Sequence, residues 1–109
     1  MEERRTALQD APKEALNLAL DPVLDLRAAA SLKDMLQQGL ARGVPLTLDA
    51  GAVGRMSTAC VQVLTAAVLE ARKNAVTLAL KKSSPVFDAA FVALGLAGIL
   101  DTIKLQDTK

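Results

Sequence analysis

The segment from residue 46 to residue 64 constrains the fold of this chain more than any other. It opens with Leu46 and Leu48 alternating with polar residues, a pattern typical of a buried strand. A loop with two glycines follows, and the adjacent hydroxyl residues Ser57 and Thr58 then precede a helical apolar pattern. This order predicts an α/β unit in which both hydroxyls lie at a helix N-terminus, close to the end of a strand.

The alternation of strand and helix patterns continues along the rest of the chain. Strands are predicted over residues 14–20, 44–49 and 75–81, helices over 27–41, 58–73 and 85–94, a loop over 50–57, and a last short strand or helical turn within 99–105. Short connections favour parallel pairing. We therefore expect one small α/β domain, a β-α unit repeated three times, with a mostly parallel sheet and helices packed mainly on one face. This domain spans residues 14–105, between an N-terminal tail or edge element (1–13) and a C-terminal tail (106–109).

Composition excludes several classes of function. The chain has 109 residues, of which 51% are hydrophobic and 2% aromatic, and its net charge is +1. A nucleic-acid binder usually shows a basic excess and stacking aromatic residues, so we expect no nucleic-acid partner. With no histidine and one cysteine, the chain lacks the usual nucleophilic triads and metal ligands, so we expect neither enzymatic activity nor a metal or cofactor. The absence of a signal peptide and of a membrane-spanning run predicts a cytoplasmic location and no membrane insertion.

Four residues in or near the loop have alternative interpretations. Ser57 or Thr58 could simply cap the helix, but a phosphate added there would meet a favourable helix dipole and alter what the surface binds. Cys60 lies in the first helical turn, where a thiol pKa can fall, but we interpret it as a small buried residue. Asp49 could bind a cation or a partner, or could be a solvated strand end.

The helix that begins near Thr58 has an unusually mild outer face. Its apolar stripe is accompanied, on the opposite side, by residues that carry no charge until Glu70. A solvated helix is normally more polar, so this face is either a docking surface or is covered by another segment of the domain. The predicted partner-binding residues are Arg55, Met56, Ser57, Gln62, Thr65 and Leu69. Whether the chain also forms a homodimer is left open.

Several stretches of this chain resemble a STAS domain, the fold of bacterial anti-sigma-factor antagonists. The resemblance rests on Leu46–Asp49, on the run Val53–Leu64, on the helix entry Leu24–Leu32, and on Ser84–Phe87 with Leu94–Leu96. In the family motif, an aspartate, a phosphorylatable hydroxyl, a small residue and a glycine follow one another. Here Ser57 stands at the aspartate position, Thr58 at the phosphorylatable position and Cys60 at the glycine position.

The resemblance implies a non-catalytic regulator that binds a protein partner through the helix starting near Thr58. In anti-sigma-factor antagonists, phosphorylation of that hydroxyl releases a kinase-type anti-sigma factor, which makes Thr58 the candidate phosphorylation site and Ser57 the alternate. The Cys60–Leu64 run is also similar to altered STAS proteins associated with chemotaxis gene clusters. A further similar protein is the small STAS subunit of a phospholipid-transport ATPase, which packs on the nucleotide-binding subunit through this helix.

Overall fold

The computed structural model describes residues 15–104, and it confirms the predicted α/β class. The elements in chain order are β1 (Leu16–Ala19), β2 (Val23–Leu24), α1 (Ala28–Ala41), β3 (Leu46–Ala50), β4 (Arg55–Met56), α2 (Thr58–Lys73), β5 (Leu78–Ser83), α3 (Pro85–Ala93) and α4 (Ala97–Ile103). Glu14, Leu105 and both predicted tails lie outside the described residues.

The main sheet has three parallel strands in the order β1-β3-β5. Leu46 in the central strand pairs with Leu16 on one side and with Leu78 on the other. Because the strands follow one another in chain order and parallel crossovers are right-handed, α1 and α2 lie on the same face of the sheet. The predicted arrangement, with helices mainly on one face, is therefore confirmed.

The core lies between that face and the helices, and aliphatic side chains dominate it. Leu46 and Leu48 of the central strand are fully buried, as the alternating pattern predicts. Phe87 and Phe91 lie one turn apart on α3, and their ring centroids are 5.1 Å apart within the core. The two aromatic residues therefore serve packing rather than ligand binding.

The prediction of a third strand over residues 75–81 is wrong at both ends. Ala75 has a positive φ of 58°, which turns the chain sharply after α2, and β5 begins only at Leu78. Between Leu80 and Lys82 the register against β3 shifts by one residue, which leaves Lys81 as the extra residue of a bulge. The bulge breaks the alternation on which the prediction relied, and both Lys81 and Lys82 are exposed.

Two short features differ from the prediction in kind. The region 50–57 was predicted to be a loop, but it contains the short strand β4, which pairs in parallel with β2. At the C-terminal end, the predicted strand or helical turn is the helix α4, after which Lys104 makes an isolated bridge to Leu80. β2 was not predicted either, whereas β1, α1, β3, α2 and α3 start and end within two residues of their predicted bounds.

Residues 15–104 contain neither a membrane-spanning helix nor a metal-binding cluster. No helix in this part of the chain is long and apolar enough to cross a membrane. The same residues contain no cluster of three or more His, Cys, Asp or Glu side chains arranged to hold a metal ion.

Candidate functional site

The loop before α2 is held by hydrogen bonds to the segment that precedes α1. The backbone N–H groups of Gly54 and Arg55 donate to the Pro22 carbonyl at 2.8 and 3.1 Å, and the Ser57 N–H donates to the Leu24 carbonyl at 2.7 Å. These bonds place the start of α2 directly beside β2. The local geometry at Ser57 and Thr58 is therefore set by residues more than thirty positions earlier in the sequence.

The same loop is tied from the other side by Ser84. Its hydroxyl donates to the Val53 carbonyl at 2.5 Å and accepts from the Phe87 N–H at 3.0 Å. Ser84 and Val53 are both buried. Ser84 is thus the N-cap of α3, and the same side chain also anchors the loop that leads into α2, a tie that the sequence pattern does not reveal.

Ser57 and Thr58 have different roles at the helix start. Ser57 is the N-cap of α2, and its side-chain oxygen accepts from the Cys60 N–H at 3.1 Å. Thr58 is the first residue of the helix and is exposed. The capping interpretation is confirmed for Ser57, so Thr58 is the hydroxyl that remains accessible at this position.

Cys60 is fully buried and links α2 to the turn before α1. Its thiol donates to the Asp25 carbonyl at 3.4 Å, which confirms that it is a small buried residue. A larger side chain at this position would push the two segments apart. The packing here accounts for the small residue without any reactive role.

The carboxylates of Asp49 and Asp25 both accept hydrogen bonds from nearby backbone N–H groups. The Asp49 carboxylate accepts from the Gly51 N–H at 2.9 Å, which stabilises the turn after β3. Asp25 accepts from the Ala28 N–H at 3.1 Å and so stabilises the start of α1. Partial desolvation raises the pKa of Asp25, but the bonds from Ala28 and Arg27, together with the charge of Arg27, outweigh it and hold the pKa below its ordinary value.

The predicted partner-binding residues do not all lie on one open surface. Arg55 and Gln62 are exposed, Leu69 is 50% exposed, and Met56 and Ser57 are half-buried. Thr65 is also half-buried, and its hydroxyl is buried without a hydrogen-bond partner among the described residues. The exposed uncharged residues of α2, which are Thr58, Gln62, Ala66 and Leu69, are called the α2 outer face below; the charged residues Glu70, Arg72 and Lys73 near the end of the helix are also exposed.

Thr65 lies at one edge of that face, on the same side of α2 as Thr58 and Leu69. Arg72, two turns further along this edge, donates through its guanidinium to the Thr102 hydroxyl of α4. This edge of the α2 outer face is therefore directed towards the C-terminal helices. The opposite edge of the α2 outer face, with Gln62 and Ala66, borders a groove between α1 and α2.

Two exposed apolar residues near α2 were missed by the sequence interpretation. Val23 is 49% exposed and Leu26 is 72% exposed, and both belong to the segment that is hydrogen-bonded to the start of α2. Leu26 lies between the charged residues Asp25 and Arg27, an isolated apolar residue in a polar turn. An apolar residue between two charged ones could have indicated an exposed contact residue, but the segment was interpreted only as the entry to a helix.

Comparison with protein families gives a match over most of the chain. The family model described as "Mlab, STAS domain" matches residues 7–103. The chain belongs to the STAS domain family. The family resemblance and the fold predicted from the sequence are thereby confirmed. No curated protein and no solved structure matches this STAS domain.

Family membership fixes only the general character of the site. STAS domains generally mediate protein–protein interaction and are generally non-catalytic. In this STAS domain, Thr58, the residue predicted from the sequence to be the phosphorylation site, is exposed, and Ser57 before it caps α2.

Proposed function

We propose that this STAS domain is a non-catalytic interaction module that binds a partner protein through the α2 outer face and the β4 residues before it. The observation that carries the proposal is the exposure of this face. From Thr58 to Leu69 its members are uncharged, and Leu69 leaves half of its side chain in solvent. A helix face that is simply solvent-exposed normally carries charged residues, so three turns without a charge are unusual.

The proposal makes Leu69 the main apolar contact. Full burial of a leucine side chain contributes about 1.5–3 kcal/mol, so burying the half that is exposed here contributes about 1 kcal/mol to binding. Replacing it with aspartate removes that contribution and also buries an unpaired charge in the interface. Leu69→Asp is therefore expected to weaken partner binding by more than tenfold.

Affinity capture from the source cells, followed by titration of the captured partner, tests the docking proposal. Val92→Asp is the matched control, because Val92 is a 60% exposed aliphatic residue on α3, away from the proposed face. Gln62→Arg is a second test variant on the α2 outer face. If Leu69→Asp and Gln62→Arg bind every partner as tightly as Val92→Asp does, the docking proposal is wrong.

We further propose that phosphorylation of Thr58 switches this binding, with Ser57 as the alternate acceptor. Thr58 is exposed in the first turn of α2, where backbone N–H groups lack intrahelical partners. No acidic residue lies in that turn, and the exposed Arg55 precedes it by three residues. A phosphate on Thr58 is therefore tolerated by the fold, while it adds up to two negative charges to the docking surface.

Comparison of wild type with Thr58→Ala and Thr58→Glu tests the switch. A glutamate in the first turn of a helix is favourable, so Thr58→Glu is expected to fold normally and to lose the main partner. Thr58→Ala is expected to keep it. Identical partner binding by all three proteins would refute the switch and leave the docking proposal standing.

The second candidate is a docking role without phosphorylation, as an accessory subunit of a phospholipid-transport ABC ATPase or as a chemotaxis-associated adaptor. The feature that favours it is Ser57, which replaces the aspartate of the phosphorylated regulators and uses its side chain to cap α2. Under this candidate, Thr58→Ala still binds the partner and Leu69→Asp still abolishes binding, so the modification state of Thr58 separates the two candidates. Mass spectrometry of the protein from its source cells would then find Thr58 unmodified.

A further inference from the structure

A groove runs between α1 and α2 along the length of both helices. Its volume is about 700 Å³, and it extends from Ala29 and Ala59 at one end to Ala41 and Asn74 at the other. The more apolar part of its lining comprises Leu36, Leu40, Val63, Ala66 and Ala67. α1 has 14 residues, which makes the groove about 21 Å long.

The two charged side chains that line the groove lie towards opposite ends. Lys33 lies in the second turn of α1, and Glu70 lies in the last full turn of α2. The Asn74 amide donates to the Glu70 carboxylate at 2.9 Å and holds that charge at the C-terminal end of the groove. Because α1 and α2 run parallel, the charged lining is positive towards both helix N-termini, where Lys33 lies, and negative towards the other end, where Glu70 lies close to the exposed basic residue Lys73.

This shape and charge pattern select one class of occupant. An extended or looped segment would bring backbone N–H and C=O groups against a largely apolar lining, where they would lack partners. An α-helix satisfies its own backbone and presents an apolar stripe to such a groove. The dipoles of α1 and α2 favour a helix that runs antiparallel to them. Lys33 and Glu70 favour the same chain direction when the bound helix has a basic residue near its N-terminus, at Glu70, and an acidic residue near its C-terminus, at Lys33.

We propose that the groove receives an amphipathic α-helix of the partner, antiparallel to α1 and α2, with a basic residue near its N-terminus at Glu70 and an acidic residue near its C-terminus at Lys33. This proposal rests on the proposed function, because it names the element of the partner that is bound. It extends the α2 outer face, whose residues Gln62 and Ala66 also line the groove.

A synthetic helix is the probe for this proposal. The charged peptide has 14 residues, a leucine and alanine stripe at helical spacing, a lysine in its first turn and a glutamate in its last turn. The control peptide replaces both charges with glutamine. The same covalent staple on the outer side of both peptides keeps them equally helical, and fluorescence anisotropy measures their binding to the full-length protein.

The charged peptide is expected to bind about fivefold more tightly than the control, since each exposed ion pair contributes modestly. The double variant Lys33→Glu with Glu70→Lys places like charges opposite each other, so it is expected to reverse that preference while binding the control peptide unchanged. Ala66→Trp, which fills the groove at an exposed position, is expected to abolish binding of both peptides. Ala89→Trp on the exposed side of α3 is its control and is expected to have no effect.

A nitroxide attached to the peptide N-terminus reports the direction in which the peptide binds. An antiparallel peptide should broaden the amide NMR signals of Ala41 and Asn74 rather than those of Ala29 and Ala59. The absence of binding, binding insensitive to Ala66→Trp, or the opposite broadening pattern would overturn the proposal. If this happens while Leu69→Asp still loses the captured partner, the helix proposal fails and the docking function survives. If Leu69→Asp also retains its partner, both fail.

Discussion

Ser84 is predicted to matter more for stability than any ordinary helix cap, and Ser57 allows the difference to be measured. Both serines cap a helix in the same way, accepting from the N–H three residues later at 3.0 and 3.1 Å. Only Ser84 also donates to a buried carbonyl, that of Val53. Replacing each serine with alanine therefore removes the same cap, and the difference between the two variants isolates the tie to Val53.

The magnitudes follow from these contacts. Loss of a serine N-cap costs about 1 kcal/mol of the free energy of unfolding, which is the full effect expected for Ser57→Ala. Ser84→Ala additionally leaves the carbonyl of Val53, itself 2% exposed, without that hydrogen bond, at a further cost of about 1–3 kcal/mol. The total of about 2–4 kcal/mol is a large part of the 5–15 kcal/mol that is typical of a domain.

Urea unfolding followed by circular dichroism measures both variants. With an m-value of about 2 kcal/mol/M, Ser84→Ala should lower the unfolding midpoint by about 1–2 M and Ser57→Ala by about 0.5 M. Hydrogen exchange should also become faster at Gly54 and Arg55 in Ser84→Ala, because the loop that leads into α2 loses an anchor. Equal midpoints for the two variants would show that the tie to Val53 contributes nothing.

Two further predictions concern backbone conformation and pH. Ala75→Gly is expected to raise the free energy of unfolding by about 0.5 kcal/mol, because the positive φ of 58° costs an alanine about 1 kcal/mol and a glycine little. Ala89→Gly, inside α3, should lower the free energy of unfolding by about 1 kcal/mol in the same urea assay. Asp25 has a lowered pKa in the folded state, so its stabilising effect is present above its ordinary pKa and is lost as the pH falls below about 4. When the pH is lowered from neutral to below about 4, the free energy of unfolding should therefore decrease less in Asp25→Asn than in wild type. Equal decreases would contradict the stabilising role assigned to the Asp25 carboxylate.

The sequence was most informative where one face of an element is buried over many residues. The aliphatic stripe of α2, from Val61 to Ala71, is buried as predicted, and so are Leu46 and Leu48. The prediction failed where the chain departs from periodicity. β2 and β4 have two residues each, too few to show an alternation, and the bulge at Lys81 reverses the pattern within β5.

The candidate site shows the same division between local and distant determinants. The exposure of Thr58 and the capping by Ser57 depend on a few neighbouring residues, and a helix-start pattern predicts them. The hydrogen bond from Ser84 to Val53 joins residues 31 positions apart, which no local pattern can predict. Because that bond and those to Pro22 hold the loop before α2, the proposed docking surface is encoded locally but positioned by distant residues. Variants at Ser84 should therefore weaken partner binding without touching the partner, whereas variants at Leu69 should weaken it without changing stability.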